Sequence, residues 1–110
     1  MGQTHVTDNK QAHRFEISVD GEPAGFADYM LADDLIVFTH TEVDDAFAGR
    51  GLGSQLVRAA MDDVRAEGTR QVLTTCSFVQ AWLDHHPDYT SLRYGMSSGR
   101  APVPDDTQQR

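Results

Sequence analysis

Three segments of alternating apolar and polar residues predict an antiparallel sheet in the first half of the chain. In the first, Phe15–Val19, apolar residues occupy every second position, which is typical of a half-buried strand. An Asp-Gly turn at 20–21 leads to a second strand over Ala24–Leu31, and the aspartates at 33–34 turn the chain into a third, Leu35–Val43. The β-branched and aromatic residues of the third strand favour a position covered on both faces. We therefore expect a three-stranded antiparallel meander.

The apolar spacing then changes from that of a strand to that of a helix. Apolar residues recur every three or four positions along one face: Leu52, Leu56, Val57, Ala60, Met61 and Val64. Gly68 stands where a helix C-cap belongs, and the β-rich run Gln71–Cys76 follows it. A strand–helix–strand crossover is right-handed in nearly all folds, so this last strand is expected parallel to Leu35–Val43 and close to it.

A second helix is predicted after the last strand. Ser77 with Gln80 three residues later matches a capping box at a helix start. Four residues then share one face of that helix: Val79, Trp82, Leu83 and His86. Pro87 is expected to end it.

The two ends of the chain lack such patterning. Residues 1–12 are polar and aperiodic, which predicts a flexible N-terminus, either frayed or extending a strand. Residues 95–110 collect Gly, Ser, Pro and charge, which is typical of a disordered tail. A single α/β domain is thus expected over residues 13–94, since a chain of 110 residues has room for one core.

Charge and cysteine content narrow the class of protein. The chain has 17 acidic and 9 basic side chains and a formal net charge of −8. This charge repels phosphate backbones and anionic membranes, so neither nucleic acid nor membrane is an expected partner. It serves solubility alone or attracts a cationic, amine-bearing partner. A cytoplasmic protein is predicted, because the chain has a single cysteine, no apolar N-terminal core and no run near the roughly 20 apolar residues of a membrane span. A monomer or weak dimer is expected, since an exposed sheet edge could pair two chains.

Three glycines at alternate positions mark the join between the third strand and the first helix. Within Ala48–Ser54 they leave backbone N–H groups unobstructed, where the unpaired N–H groups and positive dipole end of the helix also point. Such a nest binds a phosphate or pyrophosphate, unless the glycines merely turn the chain. No Lys follows Gly53, as a Walker loop requires, and Leu56 stands where a dinucleotide fingerprint has glycine.

The run FTHTEV–DDAFAGRGLGSQLV resembles the acyl-CoA pyrophosphate loop of the GCN5-related N-acetyltransferases, and with CSFVQAWLDHHPDY it is similar to their small, single-domain YjdJ-like (NATD1-like) subgroup. Gly51 and Gly53 fill the family's glycine positions, whereas Ala48 replaces its leading Gln or Arg and Ser77 replaces the subgroup's Pro. The resemblance implies a compact fold with two splayed parallel strands and acetyl-CoA as co-substrate. The residues implied to hold it are Val43, Ala48, Gly49, Arg50, Gly51, Leu52, Gly53 and Ser54.

Three side chains are candidates for catalysis. Val43 and Cys76 end neighbouring parallel strands at the edge where ligands of open α/β sheets bind. Cys76 is a nucleophile that accepts the acetyl group, a residue lining the site, or a small buried hydrophobe. His40 and Glu42 share a face of their strand, and either is a candidate base for an incoming ammonium group or part of a hydrogen-bonded structure.

Two further sets of residues are weaker candidates. Tyr89 and Tyr94 lie where the resemblance implies a tyrosine that protonates the leaving thiolate. His85 and His86 are adjacent, point about 100° apart on a helix and lack a third ligand, so no metal is expected.

The resemblance therefore implies transfer of an acetyl group from acetyl-CoA to a protein, peptide or small amine. Because the chain is shorter than a full family member, its acceptor site is expected to be shallow and open. The alternatives are a CoA-binding module without catalysis and a nucleotide-binding regulatory domain.

Overall fold

The computed structural model describes residues 2–95, which form one five-stranded sheet with two helices on it. The strands lie side by side in chain order: β1 Thr4–Asn9, β2 Arg14–Val19, β3 Glu22–Ala32, β4 Leu35–Val43 and β5 Gln71–Thr74. Helix α1 (Leu52–Glu67) connects β4 to β5, α2 (Ser77–Asp84) follows β5, and 3-10 segments lie at Asp45–Phe47 and Pro87–Leu92. The predicted α/β class, a meander leading into a strand–helix–strand unit, is confirmed.

The crossover through α1 has the predicted direction. Strands β1 to β4 pair antiparallel, whereas β5 pairs with β4 in parallel. Leu35 lies opposite Gln71 and Phe38 opposite Thr74. β4 therefore runs on past the end of β5.

The core lies between the sheet and α1. All six apolar residues of the predicted helical stripe are buried, and α1 ends at Gly68, whose φ of 73° gives the left-handed C-cap that glycine adopts without strain. On the sheet, Phe15 and Ile17 are buried against this helix, and Arg14 and Glu16 alternate with them on the opposite face, called here the outer face. Each large side chain buried in this way stabilises the fold by about 1.5–3 kcal/mol.

The N-terminal segment is ordered as an edge strand. Residues 4–9 pair antiparallel with β2. Of the two expectations for this end, frayed or extending a strand, the structure therefore shows the strand. The Tyr29 hydroxyl donates a hydrogen bond to the Asp8 carboxylate at 2.7 Å and ties β1 to β3. Polar residues suit this strand because one of its edges and much of its surface face solvent. Of the predicted tail, residues 95–110, only Gly95 is among the described residues. The remainder lies outside them.

The predicted capping box is wrong. The N-cap of α2 is Cys76, and Ser77 is already the first helical residue. The Thr74 hydroxyl accepts the Cys76 N–H at 3.0 Å and thereby ends β5 two residues earlier than predicted, while the Gln80 amide donates to the Thr74 carbonyl at 3.3 Å. Among residues 2–95, no helix has the length and hydropathy needed to cross a membrane.

Candidate functional site

The parallel strands β4 and β5 diverge at their carboxyl ends. Their pairing stops at Phe38, whose carbonyl accepts the Thr75 N–H at 3.0 Å and the Thr74 hydroxyl at 2.9 Å. Beyond this point, no strand within residues 2–95 pairs with Thr39–Val43 on the β5 side. The result is a gap between the two strands, as the family resemblance implied.

The backbone of β4 offers hydrogen-bonding groups to this gap. Asp44 donates its N–H to the Ala24 carbonyl on β3 at 2.7 Å. Because N–H groups alternate sides along an antiparallel strand, the N–H of Val43 points the other way, into the gap. Val43 was predicted to contact the cofactor, and its amide is placed to pair with an extended ligand.

A β-bulge at Thr39 decides which side chains face the gap. The register of β3 and β4 shifts between Asp28 and Tyr29, which leaves Thr39 without a residue opposite it. Phe38, ahead of the bulge, is buried in the core. Thr41, beyond the bulge, lies opposite a fully buried residue of β3 and therefore faces the same side as Phe38.

The bulge places His40 and Glu42 on the outer face of the sheet. They share a face, as the sequence predicted, with Nε2 of His40 3.4 Å from Oε1 of Glu42. Their side chains are 59% and 63% exposed. The thiol of Cys76 lies on the other face of β4, so an acceptor amine that uses either side chain as a base has to approach from the outer face.

The thiol of Cys76 is surrounded by hydrogen-bond donors. Its Sγ lies 3.5 Å from Oγ1 of Thr41 across the gap. Burial raises the pKa of the thiol, but hydrogen bonds from the Thr41 hydroxyl and from the backbone N–H groups of Val79, Phe78 and Thr41 outweigh it, so the pKa is lower than usual for cysteine. A half-buried thiol with a lowered pKa at the N-cap of a helix has features in common with the environments of reactive cysteines.

The bend before α1 has two glycines with left-handed backbone and N–H groups that are not used within the described part of the fold. Gly49 and Gly51 have φ of 82° and 72°, in the left-handed region. The first bond of α1 runs from the Gln55 N–H to the Gly51 carbonyl at 3.1 Å, and no hydrogen bond of the described residues uses an N–H of residues 49–54 as donor. Because the helix N-terminus also carries partial positive charge, such N–H groups bind phosphate.

The two helices contact each other at this bend. Ser54 Oγ accepts the indole N–H of Trp82 at 2.9 Å, which ties the first turn of α1 to α2. The Phe78 ring lies over Gly53, where an added Cβ would come within 2.9 Å of the ring. Leu52 is buried, so it has only its N–H to offer a ligand. The nest and the cysteine at the start of α2 are thus held side by side.

The other two residues predicted in the bend are exposed. The N–H of Ala48 bonds to the Asp45 carbonyl at 3.1 Å and closes the 3-10 segment. Arg50 is exposed, with its guanidinium carbon 5.3 Å from the centre of the Phe47 ring. Its long side chain is free to reach a phosphate bound at the nest.

The tyrosines and histidines after α2 have structural partners. The Tyr89 hydroxyl donates to Asp62 at 2.6 Å and accepts from Arg58 at 3.3 Å, and the bond to Asp62 together with burial raises its pKa. Tyr94 is exposed, and its N–H bonds to the carbonyl of Val72. His86 stacks on the Trp82 ring at 3.8 Å. Within residues 2–95, no three His, Cys, Asp or Glu side chains are grouped to hold a metal.

Two residues at the site were not predicted from the sequence. Thr41 bonds to the thiol, and Phe78 covers the start of α1. The sequence of β4 carries no signal for Thr41, because Leu35–Phe38 are all apolar and do not show which alternate positions face the core. The bulge that sets the face of Thr41 is visible only in the pairing with β3.

The comparisons with known proteins agree with this geometry. A family model described as GCN5-related N-acetyl-transferase matches residues 14–92. Protein NATD1 of Mus musculus is 30% identical over 88 residues, which cover 78% of this chain and 79% of that protein.

Two solved structures share the fold. A GCN5-like protein from Staphylococcus aureus aligns with a TM-score of 0.64 at 23% identity, over 90% of this chain and 96% of that one. The aminoglycoside N-acetyltransferase AAC(6')-Iy, solved with CoA, aligns with a TM-score of 0.52 at 15% identity, over 96% and 95%. The family model spans most of the described residues, and the match to NATD1 covers most of both chains. This chain therefore belongs to the GCN5-related N-acetyltransferase family, in its NATD1-like subgroup.

Proposed function

We propose that the chain transfers an acetyl group from acetyl-CoA to an amine. One observation carries this proposal: within residues 2–95, two groups of unbonded backbone atoms lie close together. They are the N–H groups of the Gly49–Ser54 bend and the open edge of β4 in the gap. A diphosphate binds to N–H groups such as those of the bend, and the amides of a pantetheine arm pair with a strand edge such as that of β4. The CoA complex of AAC(6')-Iy, which shares the fold, supports this choice of ligand.

The residues present fit acetyl-CoA along the whole gap. The diphosphate binds the N–H groups at the start of α1, where the helix dipole favours negative charge. The pantetheine arm extends beside β4 and pairs with the N–H of Val43. The thioester then lies near Cys76, whose thiol has Thr41 and the first N–H groups of α2 around it.

The environment of Cys76 supports a covalent route. The thiolate of Cys76 attacks the thioester carbonyl carbon, a new C–S bond forms, and the bond to the CoA sulfur breaks. CoA leaves as a thiolate and takes up a proton from solvent. A neutral amine then attacks the acetyl-cysteine, loses a proton to Glu42, to His40 or to water, and restores the cysteine thiolate. Direct attack of the amine on acetyl-CoA is the other route.

Intact-mass spectrometry with acetyl-CoA and no acceptor tests the proposal. We expect one added acetyl group, located on Cys76 by peptide mapping and released when an amine is added. In Cys76→Ser the adduct is absent, while calorimetry still detects CoA binding, because the nest is unchanged. Amine acetylation that persists in Cys76→Ala assigns the direct route. A wild-type protein that does not bind acetyl-CoA overturns the proposal.

The second candidate is a CoA-binding module without catalysis. It is favoured by the position of His40 and Glu42, which are exposed on the face opposite the thiol, and by the engagement of the Tyr89 hydroxyl with Asp62. CoA binding without an acetyl adduct and without acetylation of any member of an amine library would select this candidate.

A further inference from the structure

The outer face of the sheet holds a cavity of about 430 Å³ that neither the nest nor the gap uses. This volume lies within the usual range for sites of small ligands. The lining residues that matter here are Arg14, Glu16, Ser18, Phe26, Glu42 and Asp44. We refer to this feature as the outer cavity.

The strand register builds the floor of the outer cavity. Thr7 lies opposite Glu16, Glu16 opposite Phe26, and Phe26 opposite Glu42, so one row of side chains crosses four strands on a single face. All four residues line the cavity. A row fixed by four paired strands is a rigid floor and does not depend on loop conformation.

The charges around the outer cavity favour a cation. Arg14 lies 3.6 Å from Glu16 and 3.8 Å from Asp28, and its guanidinium rests 3.9 Å from the centre of the Phe26 ring. The positive charge of Arg14 is therefore already compensated by two neighbouring carboxylates. Two more carboxylates, Glu42 and Asp44, line the cavity at its β4 end.

The β4 end of the outer cavity lies next to the thiol across one strand. Glu42 lines the cavity from the outer face. Thr41, its chain neighbour, contacts Cys76 Sγ from the inner face. Within residues 2–95 no strand pairs with β4 on its β5 side beyond Phe38. Once CoA has left, a molecule held at Glu42 therefore reaches the acetylated thiol around this open strand edge and not through the sheet.

We propose that the outer cavity binds the acceptor, and that this acceptor is a small linear alkyl diamine. Glu42 and Asp44 hold one end of it as ammonium, and the amine at its other end reacts in its neutral form. The role as acceptor rests on the proposed acetyltransferase function, whereas the binding itself does not. Pro23, which also lines the cavity, offers apolar surface to a short hydrocarbon chain, and the net negative charge of the whole protein draws cations toward the cavity.

Amide NMR titration with cadaverine tests the binding directly. We expect shifts in the N–H signals of Ser18, Gly25 and Glu42, and none from 1,5-pentanediol, which has the same chain without charge. Glu42→Gln with Asp44→Asn weakens cadaverine binding by about tenfold or more, because each removes a charged hydrogen-bond acceptor. Asn at position 44 still accepts the Ala46 N–H that Asp44 accepts at 2.9 Å, so the local fold is kept.

Control variants separate the cavity from general electrostatics. Glu67→Gln removes a negative charge from the far end of α1 and leaves cadaverine affinity unchanged. Thr7→Trp, at the exposed β1 end of the floor, fills the cavity and raises the KM for the amine, whereas Lys10→Trp on the neighbouring turn does not. The inference is overturned if Glu67→Gln weakens cadaverine binding as much as the Glu42→Gln, Asp44→Asn variant does. It is also overturned if 1,5-pentanediol binds as tightly as cadaverine.

The two proposals fail in different ways. Cadaverine shifts at the outer cavity without acetylation would leave the binding site standing and remove the enzymatic role. Acetylation of amines whose KM is unchanged in the Glu42→Gln, Asp44→Asn variant would keep the enzyme and overturn the cavity as acceptor site. A lysine peptide that binds and reacts where cadaverine does neither would also overturn it.

Discussion

The two halves of β4 share the pairing with β3 but differ in their pairing on the other edge and in burial. Leu35–Phe38 is paired on both edges, and Ile36 and Phe38 are buried beneath α1. Among residues 2–95 the segment Thr39–Val43 has a strand partner on one edge only, and its side chains are half-buried or exposed. The bulge at Thr39 is the boundary between them. Removing one neighbouring strand turns backbone groups that would stabilise the sheet into groups available to a ligand.

The largest effect is expected in the paired half. Phe38→Ala leaves a cavity at the centre of the core and lowers the free energy of unfolding by about 3–5 kcal/mol, measured by urea denaturation. The protein that remains folded binds CoA with unchanged affinity, because no ligand group comes from this half. Val43→Ala, in the splayed half, costs clearly less stability. Equal losses for both variants would contradict the division of β4.

The splayed half leads into the glycine bend, where the next effect is expected. Gly51→Ala forces alanine into φ near 72° and costs about 1–2 kcal/mol of stability or shifts the bend. CoA affinity then falls by about tenfold in calorimetry, because the N–H groups of the nest no longer converge.

Gly68→Ala is the matched control for that variant. Gly68 caps the other end of α1 with nearly the same backbone angles, but its N–H is bonded to the Val64 carbonyl at 3.1 Å. It is expected to lose similar stability and to keep its CoA affinity. If both glycine variants weaken CoA binding equally, the bend has no special role.

The smallest effect concerns the thiol at the edge of the gap. Thr41→Val removes a hydrogen bond that favours the thiolate, so the pKa of Cys76 rises and less thiolate is present at neutral pH. The rate of alkylation by iodoacetamide at pH 7 falls by about two- to tenfold, and its pH profile moves to higher pH. Thr39→Val is the control, since the Thr39 hydroxyl bonds to the Asp28 carbonyl at 3.5 Å. Equal slowing in both variants would rule out a direct bond.

Local patterns were sufficient to predict much of the fold. The six buried positions of α1 and its glycine cap follow from helical spacing alone, which needs no information from elsewhere in the chain. The glycine bend before α1 was predictable for the same reason, because its glycines and the helix start are consecutive in sequence.

The rest required partners that are distant in sequence. Thr39 bulges because β3 pairs with β4 on both sides of it, so the faces of Thr41 and Glu42 depend on strand register. The capping box at Ser77 matched a local rule, but the Thr74 hydroxyl bonds the Cys76 N–H and moves the helix start. The outer cavity depends on four strands at once, and no single segment carries its signal.

The bond between Trp82 and Ser54 has a consequence for the entropy of ligand binding. Trp82 is buried, and its indole N–H fixes the start of α1 against the helix that begins at Cys76. A long, flexible thioester molecule loses conformational freedom when it binds, but a protein whose two contact regions are already clamped together loses little of its own. Most of the ordering cost of forming the complex therefore falls on the small molecule.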